Sequence, residues 1–309
     1  MRSAFRVDTS DFSLPSFAKI NWYLRVLGKR PDGYHEIQTI LQSINLHDLI
    51  HFTSTDDSEI VLTSDNPTIP TDETNLIVRA AKRLREFSGG DRGAHIILTK
   101  RIPTRAGLGG GSSNAAVALL GLSRLWKLEV SDSDLALIGA ELGADVPFFL
   151  IGGSVLAEGI GTRLIELPDI PKKHLIVVTP SVGVTTADAY KALNSSALTT
   201  IEAETILAVS RTESFFDDSY LWDPAQGLVN DFERVIFDIA PEIKLARDML
   251  EQCGAVGVLL AGSGSSVFGI FDDQKAQEEA RQIIKLEEGW QVFQCATMSR
   301  KEYSSELAL

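Results

Sequence analysis

Residues 107–113 read Gly107-Leu108-Gly109-Gly110-Gly111-Ser112-Ser113, and the chain continues as Asn114-Ala115-Ala116-Val117-Ala118-Leu119-Leu120. Four glycines in five residues leave backbone N–H groups unhindered by Cβ atoms, so they can close on an oxyanion. Two hydroxyls follow, and residues 114–126 are apolar nearly all round, the mark of a buried helix. A helix N-terminus carries about half a positive elementary charge, and the loop itself holds no lysine. Backbone dipoles are therefore expected to hold a phosphate here. A flexible linker would not run straight into such a helix.

Two familiar phosphate loops can be compared with these residues. The P-loop needs a Gly-Lys-Ser/Thr triplet, and the chain contains none. A dinucleotide fingerprint can be written as Gly107-x-Gly109-x-x-Ser112, with Glu129 as the ribose ligand. It fits poorly, because residues 103–106 separate the preceding strand from the loop, where that fold turns directly from strand to helix.

On either side of the loop, β-type and helical patterns alternate, as in mixed α/β or α+β proteins. Residues 18–27 read as a strand, Lys29-Arg30-Pro31-Asp32-Gly33 as the turn after it, and residues 38–52 as one or two more strands. Residues 74–87 put Ile77, Ala80, Ala81 and Leu84 on one stripe, an amphipathic helix. Residues 94–98 read as a strand, and 133–142 as a helix with Ser133 as N-cap and Gly143 as its stop, after which Asp145 precedes an apolar strand. The pattern restarts at residue 174: strand 174–179, helix 186–193, helix 243–253, strand 255–260, the turn Gly262-Ser263-Gly264-Ser265, strand 266–271, helix 273–286 and strand 290–296. Residues 194–223 are polar and weakly periodic and read as a surface insertion. Two prolines and two lysines interrupt the periodicity at 168–173, which divides the chain into regions 1–170 and 171–309.

Composition narrows the function classes. The 309 residues are 44% apolar and carry a formal charge of −13. Such a surface repels polyanions, so a nucleic-acid partner is not expected, and any phosphate must be held locally. Apolar runs such as 146–155 are broken by Pro147, Gly152 and Gly153 and fall short of a bilayer span, so no membrane partner is expected either. The N-terminus lacks a signal-peptide pattern. Cys253 and Cys295 are too few for a disulfide framework and read as free thiols, consistent with a cytoplasmic protein.

The stretch from Pro103 through Gly107-Leu108-Gly109-Gly110-Gly111-Ser112-Ser113-Asn114-Ala115-Ala116 resembles the second motif of the GHMP superfamily, the galactokinase, homoserine kinase, mevalonate kinase and phosphomevalonate kinase group. Ala18-Lys19-Ile20-Asn21 is similar to its first motif and Gly262-Ser263-Gly264-Ser265-Ser266-Val267-Phe268-Gly269 to its third. Within the group, Arg30-Pro31-Asp32-Gly33-Tyr34-His35, Leu142-Gly143-Ala144-Asp145-Val146-Pro147-Phe148 and Ala157-Glu158-Gly159 most resemble members that act on a cytidine-linked branched sugar alcohol. The resemblance implies an α+β fold, with an N-terminal nucleotide-binding domain like domain 2 of ribosomal protein S5 packed on a C-terminal ferredoxin-like domain. It also implies transfer of the ATP γ-phosphate to a tertiary hydroxyl, in the non-mevalonate route to isoprenoids. Other small-alcohol kinases of the group and a non-catalytic nucleotide-binding protein are the alternatives. The partner is then a small molecule; monomer and homodimer are equally compatible with it.

The resemblance assigns roles residue by residue. Asp145 takes the position of the catalytic base, although Ala-Asp-x-Pro suits a turn or a cap equally well on the residues alone. Lys19, alone in an apolar strand, needs a partner; it is either a charge beside the base or a lysine snorkelling off an edge. ATP falls to Pro103, Thr104, Arg105, Ala106, Gly107, Leu108, Gly109, Gly110, Gly111, Ser112 and Ser113, with Asn75 and Lys100 near the adenine. Tyr34 and His35 hold the cytosine, with Tyr190 as a second ring and Thr186 and Asn21 as polar contacts. Phosphoryl transfer calls for Mg²⁺. Ser112, Ser113 and Glu158 are the residues considered for it, and no ligand is assigned.

Overall fold

The computed structural model describes residues 11–194, 228–285 and 287–309. Residues 195–227 lie outside the described residues, and with them all but the first position of the expected 194–223 insertion. Two long strands, β1 (Asp11–Lys29) and β2 (His35–Ser54), pair antiparallel around the Pro31-Asp32-Gly33 turn and form the spine. The one or two strands expected over 38–52 are thus a single strand. The β1–β2 pairing shifts register between Phe17 and Ala18, between Asn21 and Tyr23, and between Val26 and Gly28. Such bulges bend a strand and re-aim its side chains, and the first two bracket Lys19 and Asn21.

The free side of β2 serves two partners. Its C-terminal half pairs with β4 (Ala94–Thr99), which lies parallel to β3 (Ile60–Ser64). Its N-terminal half pairs with β5 (Ser154–Gly159), which forms a hairpin with β6 (Arg163–Glu166). On the far side of β1, the two-residue strand β8 (Val229–Asn230) adds in parallel from the distal part of the chain. Helices α1 (Leu76–Ser88) and α2 (Gly110–Leu125) bury their apolar faces against this sheet, and α3 (Asp132–Leu142) packs on the two helices. The predicted stripe of α1 is the buried one, and Asn75 and Gly89 cap its ends.

Three local readings differ from the sequence expectation. Helix α2 begins at Gly110 rather than at residue 114: Gly109, at φ 70°, serves as N-cap, so half of the glycine loop is the helix's first turn. Burial of the following Ala and Leu side chains outweighs the poor helix propensity of two glycines, about 1 kcal/mol each. The N-cap of α3 is Ser131, not Ser133, which places Asp132 and Asp134 in the first turn where the helix dipole favours them. After Pro147 comes a short helix, α4 (Phe148–Ile151), where an apolar strand is expected; over four residues periodicity does not separate the two.

The second sheet has the order β11-β7-β10-β9, every neighbour antiparallel, with β7 (His174–Thr179), β9 (Gly257–Leu260), β10 (Val267–Phe271) and β11 (Gln291–Ala296). Helices stand between β7 and β9, namely α5 (Thr186–Leu193), α6 (Glu233–Ile239) and α7 (Pro241–Gln252), and α8 (Gln274–Ile283) stands between β10 and β11. This is the βαββαβ ferredoxin-like arrangement. One face of this sheet packs on the back of the first, where Ala18, Ile20 and Trp22 meet Leu175, Val177 and Phe268. The other face is covered by its own helices. The last helix, α9 (Arg300–Leu307), returns to the first sheet, where the Tyr303 hydroxyl donates to the Phe149 carbonyl at 2.6 Å.

Candidate active site

A cleft of about 450 Å³ opens along β1 and β2, lined by the glycine loop, the start of α5 and the 262–263 turn. Its lining includes Lys19, Asn21, Asn75, Lys100, the run from Pro103 to Ser112, Asp145, Thr186 and Tyr190. Ser113, Tyr34 and His35 do not line it, nor does Glu158, one of the residues considered for Mg²⁺.

The glycine loop is held by close backbone approaches. Gly107 has φ 76°, and a Cβ there would fall 1.9 Å from the Ala261 carbonyl oxygen, so the second and third motifs touch main chain to main chain. A Cβ on Gly109 would meet Phe149 at 2.7 Å and Lys19 at 3.0 Å. Gly111 is different, since only Leu76 lies within 4 Å of its Cβ position, at 3.8 Å. The first turn of α2 thus faces the open cleft with bare N–H groups. Arg105 adopts φ 55°, a left-handed conformation that costs a residue with a Cβ roughly 1–2 kcal/mol and that the loop closure enforces.

The third motif is fixed in turn. The Asn230 amide donates to the carbonyls of Leu260 (2.9 Å) and Gly262 (2.7 Å), and Ser266 N–H donates to the Ala106 carbonyl at 3.1 Å. Thr186 and Ser263 share a hydroxyl hydrogen bond of 3.0 Å, which ties α5 to this turn. Asn230 escapes sequence reasoning because it sits in a strand of only two residues, too short to show a period.

Lys19 lies between the two loops. Its backbone N–H donates to the Leu108 carbonyl at 3.0 Å, and its Nζ donates to Asn21 Oδ1 at 2.8 Å. The Asn21 amide donates to Thr39 Oγ1 at 2.8 Å, and that hydroxyl donates to the Tyr23 carbonyl at 2.7 Å. This chain leaves the Asn21 oxygen to the lysine. Burial pushes the Lys19 ammonium below its ordinary pKa, and the Asp145 carboxylate opposes the shift. Asp145 stands half-buried in the turn between α3 and α4 and lines the cleft.

At the far end of the cleft, rings converge. His35 stacks on Tyr190 with centroids 4.4 Å apart and 19° between planes, and Tyr190 meets Phe232 edge-on at 4.9 Å. Burial first, and the Asp145 carboxylate second, push the Tyr190 phenol up to about 12. Burial and then Lys29 push the His35 imidazole below 6.5. His35 therefore reaches the cleft through Tyr190. Tyr34 stands 62% exposed beside the hairpin turn, away from the lining.

Contacts within the fold engage the side chains of several assigned residues. The Ser113 hydroxyl is buried and accepts from Ser16 at 2.8 Å, because its place in the first turn of α2 faces the sheet rather than the cleft. Asn75 lines the cleft but spends its side chain on structure: Oδ1 caps α1 by accepting from Ile77 N–H at 2.9 Å, and the amide donates to the Pro70 carbonyl at 2.7 Å. Glu158 is fully buried, bonded to Gln38 at 3.3 Å and paired with Arg163 at 3.0 Å, and is not on the cleft wall. Lys100 does reach the wall, paired there with Asp48. Asp48 is a residue that sequence reasoning misses. Its signal is legible in retrospect, since it shares the burial phase of Ile50 and Phe52 along β2, an unusual place for a carboxylate.

Comparisons with known proteins agree with this architecture. The family model for the N terminal domain of GHMP kinases matches residues 75–153, and the model for the GHMP kinases C terminal region matches 222–288. A 4-diphosphocytidyl-2-C-methyl-D-erythritol kinase of Syntrophus aciditrophicus is 41% identical over 276 residues, covering 89% of this chain and 95% of that protein. One from Geobacter sp. strain M21 is 42% identical over 273 residues, with 88% and 94% covered. The chain belongs to the GHMP kinase family, among the 4-diphosphocytidyl-2-C-methyl-D-erythritol kinases. A crystal structure of a 4-(cytidine 5'-diphospho)-2C-methyl-D-erythritol kinase superposes with a TM-score of 0.71 at 32% identity, over 93% of this chain and all of that one. As a GHMP kinase the chain is an ATP-dependent phosphotransferase, and the α+β fold expected from its motifs is the one present. Among the described residues, no helix is long and apolar enough to cross a membrane.

Proposed function

We propose that the protein transfers the γ-phosphoryl group of ATP to the 2-hydroxyl of 4-diphosphocytidyl-2-C-methyl-D-erythritol, in the non-mevalonate route to isoprenoid precursors. One observation carries the reading: Lys19, Asp145 and both glycine loops face a single cleft, whose far end carries stacked rings suited to a pyrimidine. The N–H groups of Gly109 to Ser112 cradle the phosphates at the start of α2. Asp145 accepts the proton of the attacking hydroxyl as its oxygen bonds to the γ-phosphorus and ADP leaves. Lys19, held by Asn21, neutralises charge on the transferring group. Tyr190, backed by Phe232 and His35, offers its ring to the cytosine, and Thr186 and Asn21 supply polar contacts.

Mg²⁺ belongs to this reading as well. Among the described residues no group of three or more His, Cys, Asp or Glu side chains surrounds a common point. The Ser112 hydroxyl, on the cleft lining at the start of α2, would supply one hard oxygen donor to the ion. Held there, the ion would offset the negative charge of the phosphates. The working division of the chain stays at 1–170 and 171–309, with β8 and α9 crossing back to the first sheet. Free Cys253 and Cys295 suit a reducing cytoplasm.

ADP release measured with each candidate alcohol tests the reading. Turnover is expected with the diphosphocytidyl substrate and not with homoserine or mevalonate, and no turnover with the former would sink it. Asp145→Asn should lower kcat by about 10²–10⁴ while leaving the KM for ATP within about twofold.

A further inference from the structure

The Asp48 side chain is completely buried, yet no role in the proposed chemistry uses it. Four donors converge on it. Its Oδ1 accepts from the backbone N–H groups of Arg101 (2.7 Å) and Ile102 (2.8 Å). Its Oδ2 accepts from the Asn114 amide at 2.9 Å and from the Lys100 ammonium. These partners come from the end of β4, the approach to the glycine loop and the second turn of α2. The Lys100 ammonium in turn sits over the helix start, 3.0 Å from where a Cβ on Gly110 would be.

That placement is costly by itself. A lysine at a helix N-terminus opposes the dipole, and burial opposes its charge. A carboxylate hydrogen-bonded on both oxygens removes both objections and fixes the ammonium in one position. We infer that Asp48 is a positioning residue for ATP: it holds Lys100 at the cleft wall and clamps the entry of the glycine loop to α2, so that ammonium and cradle present a fixed anion site. Burial lowers the Lys100 pKa and Asp48 raises it, in keeping with a lysine that depends on this carboxylate for its charge.

The inference rests on the ATP reading of the cleft, and the two fail separately. Wild-type protein that released no ADP would sink both, whereas an active wild type with an indifferent Asp48 would sink only this one. Asp48→Asn keeps shape and the acceptor for Arg101 and Ile102, but turns an amide toward Lys100 and Asn114. The KM for ATP should rise about tenfold or more, with kcat and the KM for the sugar alcohol within about twofold. In the Asp48→Asn/Lys100→Met double variant the rise should be no larger than in Lys100→Met alone, since one residue acts through the other. An ATP KM within twofold of wild type in folded Asp48→Asn, additive effects in the double variant, or an equal fall in every kinetic constant would each overturn the assignment. Should Asp48→Asn not fold, Lys100→Met decides: a tenfold rise in ATP KM supports the inference, and an unchanged one overturns it.

Discussion

The two ends of the cleft are built in opposite ways. At the phosphate end the contacts are backbone: Gly107 against Ala261, Ser266 N–H on Ala106, and the bare first turn of α2. At the ring end they are side chains from three separate elements, His35 from β2, Tyr190 from α5 and Phe232 just before α6. A backbone site needs residues that get out of the way, and it is intolerant of any that do not. A side-chain site needs residues that arrive together, and it loses affinity by degrees when one is trimmed.

That contrast is broken most directly at Gly107. Alanine there would adopt φ near +76° and drive a methyl into a backbone carbonyl that cannot rotate away. Strain and loop separation together should cost about 3 kcal/mol of stability and raise the KM for ATP by about 100-fold. A melting temperature and an ATP KM both near wild type would show that the two loops do not need each other. At the other end, Tyr190→Leu keeps bulk and removes the aromatic face. Stacking on a base contributes about 1–3 kcal/mol, so the KM for the cytidine-linked alcohol should rise about tenfold to 100-fold with the ATP KM unmoved. An equal rise in both KM values would mean that Tyr190 supports the cleft as a whole rather than one end of it.

The same contrast explains what the sequence discloses. The glycine loop is contiguous, and its function follows from residues that are neighbours in the chain, so 107–113 is legible as an anion site from the residues alone. The helices with a clear stripe, α1 and α5, fall where their patterns put them, as do β7 and β10. Asp48, Ser16 and Asn230 depend on partners 30 to 98 residues away, and nothing local marks the distance. Ser113 shows the limit within the motif itself: helical phase, not residue type, turns its hydroxyl to Ser16 while Ser112 keeps to the cleft. Tyr34 and His35 are adjacent in sequence, yet the strand alternation that begins at His35 sends one ring to solvent and the other to Tyr190.

His35 gives the smallest and most selective effect. Its imidazole titrates below 6.5 in the folded chain because burial against Tyr190, and secondarily Lys29, disfavours the cation. Above 6.5 the ring is neutral both folded and unfolded and contributes nothing to the pH dependence of stability. As the pH falls below 6.5 the unfolded chain takes up the proton first, so stability falls with pH until the folded ring protonates too, and the loss then levels off. The cation, once formed, brings a charge to a stack whose other member is a buried phenol. The KM for the cytidine-linked alcohol should therefore rise by a few-fold as the pH is lowered below 6.5 and the folded ring protonates, while the KM for ATP stays flat. In His35→Gln, which cannot titrate, that rise should disappear; if it persists unchanged, a group other than His35 governs the ring end, and the stack is packing rather than recognition.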